Sequence, residues 1–268
     1  MTVEVGIVGA AGRMGQMLIQ AVEQREDARV SAAAEHPKSE AVGRDAGSVA
    51  GLNPLGVKIA NDAASVFKNS QVVIDFTLPE ATVYNLQQAV ETGTALVIGT
   101  TGFDAAGKAR IEEAARKVPI VFAPNFSVGV NLMFKVAAEV AQVLEENFDI
   151  EIIEAHHRNK VDAPSGTAIG LGDAIAEAIG RSLPEVAIYG REGHTGARDR
   201  QTIGFSTIRG GDIVGDHTAL FAGEGERIEI THRASSRMTF ASGAVRAALW
   251  VLGKEPKLYD MRDILNFR

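Results

Sequence analysis

Val3-Glu4-Val5-Gly6-Ile7-Val8-Gly9-Ala10-Ala11-Gly12-Arg13-Met14-Gly15 is the stretch that decides the fold. Val3–Val8 reads as a buried strand, and a helical apolar pattern runs from Met14 to Arg25. The small residues between them let backbone N–H groups approach a phosphate at a helix N-terminus, where the dipole favours negative charge. The spacing is GxxGxxG, at Gly9, Gly12 and Gly15, rather than GxGxxG. A second strand, Arg29–Ala34, ends at Glu35, about 20 residues beyond the turn, where an acid accepts hydrogen bonds from a ribose diol. Strand, glycine turn, helix, strand and acid in that order predict a dinucleotide site. Glu35 favours NADH, while the neighbours His36 and Lys38 would meet the 2′-phosphate of NADPH.

Working outward, the apolar runs Val72–Phe76, Ala95–Ile98 and Ile120–Ala123 alternate with helical patterns at Glu80–Thr92 and Asp104–Lys117. Short continuous apolar strands between amphipathic helices predict a doubly wound parallel α/β sheet covered on both faces. Ligands in such sheets lie beyond the carboxyl ends of the strands. Asp75-Phe76-Thr77, Gly99-Thr100-Thr101-Gly102 and Ala123-Pro124-Asn125-Phe126 fall there and are candidates to line a nicotinamide site.

The pattern changes after Pro124. A helix is expected over Val128–Glu146, a strand over Asp149–Ala155 and a helix over Thr167–Ile179. Arg181–Arg200, rich in glycine and charge, reads as a mobile connection. Gln201–Arg209, Asp212–Ala222 and Arg227–Ala234 are joined at glycines and read as consecutive antiparallel strands. A helix over Ala241–Leu252 and a short tail follow. The second part is therefore expected to be an α+β domain with a largely antiparallel sheet.

Composition narrows the function classes. With 268 residues, 46% of them hydrophobic, the chain has the material for a large core and is no disordered or low-complexity protein. It has no cysteine, which excludes disulfides, thiolate catalysis and zinc-thiolate sites. Glu4 stands where a signal peptide would be basic, and no apolar run approaches the ~20 residues of a membrane span, so a cytoplasmic protein is expected. The net charge of -7 makes neither nucleic acid nor an anionic membrane an expected partner. An anionic substrate would need a local basic pocket.

One stretch supplies such a pocket: Glu154-Ala155-His156-His157-Arg158-Asn159-Lys160-Val161-Asp162-Ala163-Pro164-Ser165-Gly166-Thr167-Ala168. Two histidines, an arginine and a lysine precede a helix start flanked by Ser165 and Thr167, whose hydroxyls and free first-turn N–H groups suit a carboxylate. His156 and Lys160 are candidate proton donors. If the strand ran through both histidines they would face opposite sides, so a shared site needs a turn there. No metal site is expected, because adjacent histidines on a strand diverge and His194, His217 and His232 are scattered. Arg233 and Arg237 read as a solvated strand end.

This stretch, with Val8-Gly9-Ala10-Ala11-Gly12-Arg13-Met14-Gly15, Asp75-Phe76-Thr77, Gly99-Thr100-Thr101-Gly102 and Asn125-Phe126-Ser127-Val128-Gly129, resembles the bacterial dihydrodipicolinate reductase family over essentially the whole chain. The resemblance implies a Rossmann-like first domain at 1–127 completed by 238–268, and a substrate-binding and oligomerisation domain at 128–237. It implies that Gly9, Ala10, Ala11, Gly12, Arg13, Met14, Glu35 and His36 hold the dinucleotide. Gly99, Thr100, Thr101, Ala123, Pro124, Asn125 and Phe126 would hold its nicotinamide half. His156 and Lys160 would be the proton donors, and His157, Lys160, Ser165, Gly166 and Thr167 would bind the carboxylates of a cyclic imine dicarboxylate. The implied reaction is the NADH- or NADPH-dependent reduction of 4-hydroxy-tetrahydrodipicolinate to tetrahydrodipicolinate with loss of water, in lysine and diaminopimelate biosynthesis, by a homotetramer. His36 stands where many members have arginine, so its forked donor is missing and NADH is favoured over NADPH. Another amino-acid or semialdehyde dehydrogenase, or a non-catalytic NAD(H) sensor, would share the glycine turn without the proton donors beside an anion pocket.

Overall fold

A computed structural model describes residues 2–144 and 147–267. The chain divides into two units, Met1–Ser127 with Arg237–Arg268, and Val128–Ser236. In chain order the first unit holds β1 (Val3–Val8), α1 (Arg13–Glu23), β2 (Ala28–Ala34), α2 (Ala46–Val49), β3 (Ile59–Ala60), α3 (Ala63–Lys68), β4 (Val72–Asp75), α4 (Pro79–Thr92), β5 (Ala95–Ile98), α5 (Ala105–Ala115) and β6 (Ile120–Phe122). The second holds α6 (Val128–Leu144), β7 (Asp149–His156), α7 (Gly166–Ala178), α8 (Leu183–Val186), β8 (Ala187–Ile188), β9 (Ile203–Arg209), β10 (Gly215–Ala222) and β11 (Arg227–Ala234). The chain then returns to the first unit with α9 (Met238–Val251), β12 (Leu258–Tyr259) and α10 (Met261–Leu265). Positions 145 and 146 of the helix expected over Val128–Glu146 lie outside the described residues.

The first sheet is parallel throughout, in the order β12-β6-β5-β4-β1-β2-β3. Its strands are apolar on both faces because both are covered. Val5, Ile7, Val72, Ile74 and Val97 join one core with α1 and α9, while Val8, Val73, Leu96 and Ile98 join a second with α3, α4 and α5. The strand order reverses beside β1, which pairs with β2 on one side and β4 on the other, so the loops after β1 and β4 flank the crevice where such sheets bind ligands. Helix α9 presents a stripe of small residues, and a Cβ at Gly243 would sit 1.8 Å from the Phe126 carbonyl.

The second sheet is mixed, in the order β11-β10-β7-β9-β8. Strands β10 and β11 form the expected antiparallel hairpin. The expected pairing of Gln201–Arg209 with Asp212–Ala222 is corrected: β7 lies between β9 and β10, antiparallel to β10 and parallel to β9. The glycine pair Gly210-Gly211 therefore carries a crossover past one strand and not a tight hairpin. Helices α6 and α7 cover one face, burying Ile150, Ile152, Phe205, Ala219 and Phe221. Arg181–Arg200, expected to be mobile, forms α8 and β8 and is fastened at two points. Arg191 makes a fork to Glu151, and Arg198 bonds Glu151, Asp149 and the carbonyls of Ile150 and Thr202. No helix among the described residues is long and apolar enough to cross a membrane.

Candidate active site

The glycine turn of the first unit is built from backbone contacts. Gly9 has φ +71°, and its carbonyl accepts from Gly12 N at 3.1 Å. A Cβ at Gly15 would lie 2.1 Å from that carbonyl, so only glycine lets α1 approach the turn so closely. Ala10 N donates to Ala34 O, and Ala11 N donates to Glu35 Oε2 at 2.9 Å. The other Glu35 oxygen accepts from His36 N at 2.8 Å. Glu35, expected as a ribose acceptor, thus braces the turn while each oxygen keeps a second lone pair.

Helices α2, α3, α5, α7 and α10 are capped by aspartate or serine side chains; α1, with Gly12 at its N-cap, shares with α4, α8 and α9 the absence of a side-chain cap, and it has no acid in its first turn. The amides from Arg13 to Gly15 precede the first helical bond, Gln16 N to Gly12 O. This uncapped positive end, with Arg13 beside it, fits the pyrophosphate of a dinucleotide.

Met14, Phe76, Pro124, Asn125, Phe126 and Phe240 line one pocket in this unit. It brings together five expected residues, Met14, Phe76, Pro124, Asn125 and Phe126, and adds Phe240 from α9, which the sequence did not single out. The Phe76 and Phe126 rings stand 5.6 Å apart at 52°. A Cβ at Gly99 would fall 2.2 Å from the Phe76 ring, so Gly99 makes room for that ring. Thr100 is not in this lining. It is buried, accepts from Thr82 Oγ1 at 2.9 Å and donates to Asp75 Oδ1 at 3.3 Å. Asp75, fully buried, also accepts from Thr77 N, Thr77 Oγ1 and Asn85 Nδ2. Ala123 is likewise interior, whereas Thr101 and His36 are exposed.

In the second unit, β7 ends at His156, and the chain turns directly after it, as a shared site requires. His157 N donates to Ile213 O at 2.7 Å, and Lys160 N closes the turn on His157 O. Lys160 Nζ meets both carboxylate oxygens of Asp162 at 2.8 and 2.9 Å. Ser165 caps α7 by accepting from Ala168 N, but it is buried and its hydroxyl also meets His217 Nε2 at 3.0 Å. Of the residues expected to hold carboxylates, Ser165 is therefore internal, while Gly166 is exposed and His157, Lys160 and Thr167 are half-buried.

Strand alternation puts Glu154 and His156 on one buried face. Glu154 is 1% exposed and accepts from His156 Nδ1 at 2.6 Å, both arms of Arg209 at 2.8 Å, Ser165 N at 3.0 Å and Thr207 Oγ1 at 3.3 Å. Burial raises its pKa, but Arg209, His156 and the Ser165 amide outweigh this and hold it at about 2. Burial lowers the His156 pKa. Glu154 opposes that, while Lys160 and Arg209 add to it, and the net shift is downward. With its Nδ1 proton on Glu154, neutral His156 presents an Nε2 lone pair. Sequence reading missed Arg209 and His217. Strand register pairs them with His156 and Glu154, and no local pattern carries that information.

Burial, helped by the neighbouring His156, pushes the buried His217 pKa down to about 3. Its unfolded value is near 6.5, so the unfolded chain binds the extra proton between these values and stability falls as pH falls. Acidification from pH 7 to 5 is expected to lower the unfolding free energy by about 2 kcal/mol through this group. Urea titrations of His217→Gln should show a pH slope shallower by that amount; an unchanged slope refutes the assignment.

Comparisons with known proteins add to this geometry. Residues 3–126 match the family model for the N-terminus of dihydrodipicolinate reductase, and residues 129–265 match the model for its C-terminus. The 4-hydroxy-tetrahydrodipicolinate reductase of Magnetococcus marinus is 62% identical over 268 residues, 100% of both chains. That of Alkalilimnicola ehrlichii is 60% identical over 266 residues, 99% of this chain and 100% of the relative. Among solved structures, a dipicolinate-bound dihydrodipicolinate reductase from Paenisporosarcina sp. TG-14 superposes with a TM-score of 0.74 at 26% identity, covering 98% of this chain and 100% of that one.

Proposed function

Because the chain belongs to the dihydrodipicolinate reductase family in both its N-terminal and C-terminal parts, we infer that it is an NAD(P)H-dependent 4-hydroxy-tetrahydrodipicolinate reductase of lysine and diaminopimelate biosynthesis. The observation that carries this is 62% identity over the full length to a reductase of that name. The uncapped glycine turn and the cationic loop on one chain agree with it. A bound reduced pyridine dinucleotide supplies the hydride. The α1 amides from Arg13 to Gly15 hold its pyrophosphate, Glu35 holds a ribose, and the Phe76–Phe126 pocket holds the nicotinamide half.

His157, Lys160, Gly166 and Thr167 grip the carboxylates of the cyclic imine substrate at the start of α7. Hydride addition drives negative charge toward the ring nitrogen, and a proton must follow. Lys160 is the better donor, because the ammonium carries protons in its resting form whereas neutral His156 offers a lone pair at Nε2. His156 accepts a hydrogen bond from substrate and orients it. Glu35 next to the unforked His36 supports NADH as the preferred cofactor, with NADPH tolerated. A homotetramer acting in the cytoplasm is the assembly we favour. The open edge strand β11, with Ile228 exposed, supplies a surface for it, and light scattering tests it.

The deciding assay is oxidation of NADH and of NADPH with freshly generated 4-hydroxy-tetrahydrodipicolinate. Turnover with a lower KM for NADH is expected. Cofactor binding without turnover would mark a sensor instead.

A further inference from the structure

Arg209 ends β9 directly opposite His156 on β7. Its fork grips Glu154 with both arms, Nη1 to Oε2 and Nη2 to Oε1, each at 2.8 Å. Nη2 also donates to the Asp162 carbonyl at 2.6 Å, and Nη1 donates to the Ile208 carbonyl at 2.8 Å. Two consequences follow from this geometry. The Glu154 carboxylate, buried and already holding Ser165 N and Thr207 Oγ1, cannot rotate, so the His156 ring bonded to it is fixed in plane and tautomer. The loop from His157 to Ser165 is pinned at Asp162, whose carboxylate holds Lys160. One guanidinium therefore braces the supports of both groups read above as acting on substrate.

We propose that Arg209 is a positioning residue for the reduction, fixing His156 through Glu154 and the Lys160 loop through the Asp162 carbonyl without touching substrate itself. This rests on the reading of His156 and Lys160 given under Proposed function. The chemistry favours a fork over a point charge. Lysine would keep the ion pair with Glu154 but could not hold both carboxylate oxygens and the carbonyl in one plane.

The test is a double-mutant cycle in the holoenzyme with Arg209→Lys, Arg209→Gln and His156→Ala. Arg209→Lys is expected to lower kcat about tenfold and Arg209→Gln about a hundredfold. NADH affinity, read by fluorescence titration, should stay within twofold, because the glycine turn belongs to the other unit. In the His156→Ala background the loss from Arg209→Lys should shrink at least threefold, since part of its route runs through the missing ring. Equal losses in both backgrounds, or full activity in Arg209→Lys, would overturn the proposal. Should Arg209→Gln fail to fold by near-ultraviolet circular dichroism, Arg209→Lys, which keeps the charge beside Glu154, carries the test. A fully active His156→Ala would instead sink the underlying assignment of His156, a separate result.

Discussion

Replacing Lys160 by methionine is expected to lower kcat by about 10²–10⁴, the range a positioned general acid contributes. Lys160 is held on a tight turn by its own amide and by two bonds to Asp162, so its ammonium is aimed before substrate arrives. Methionine keeps the length and apolar stem and removes the proton. Lys160→Arg should be almost as slow, although it keeps the charge, because a guanidinium does not release a proton near neutral pH. Steady-state rates at saturating NADH check both variants, and NADH affinity should hardly move. If Lys160→Arg keeps wild-type turnover, Lys160 binds substrate without protonating it and the donor lies elsewhere.

The second large effect is expected at Gly15. An alanine Cβ there would sit 2.1 Å from Gly9 O and 2.8 Å from the Ala10 backbone, and no rotamer change relieves contacts with main chain. Either α1 moves away from β1 or the turn opens. Overpacking of this kind costs about 1–3 kcal/mol and occasionally more. Because the distorted atoms carry the amides proposed to hold the pyrophosphate, the same change should weaken NADH binding by about 10–100-fold, as isothermal calorimetry would read, and lower the melting temperature. Gly190→Ala, where no atom lies within 4 Å of the added methyl, is the neutral control. An unchanged NADH affinity in Gly15→Ala would refute the proposed phosphate site.

What the sequence revealed and what it hid divide along physical lines. Val3–Val8 and Ala95–Ile98 were legible to the residue, because a fully buried strand is a continuous apolar run. Ile59–Ala60 and Leu258–Tyr259 were not, since two-residue edge strands are too short to show a period. The Gly210-Gly211 pair looked like a hairpin turn, and only the placement of β7 between its flanking strands shows otherwise. Side-chain direction was the other blind spot. Thr100 was named for its place beyond a strand's carboxyl end and Ser165 for its place at a helix start, and both hydroxyls turn inward, to Asp75 and His217. Arg209 stood outside every motif, and its partnership with Glu154 depends on a strand pairing 55 residues apart in sequence.

The return of α9 and β12 to the first unit has a consequence for biosynthesis. Val5, Val72 and Val97 share a core with Ala244, Val245 and Val251, so the opening third of the polypeptide leaves the ribosome without its covering helix. Translation must run past Val251 before that sheet can bury its second face. Until then the nascent chain displays a sticky apolar layer, and a transcript broken upstream of Met238 would yield a product suited to chaperone capture or proteolysis.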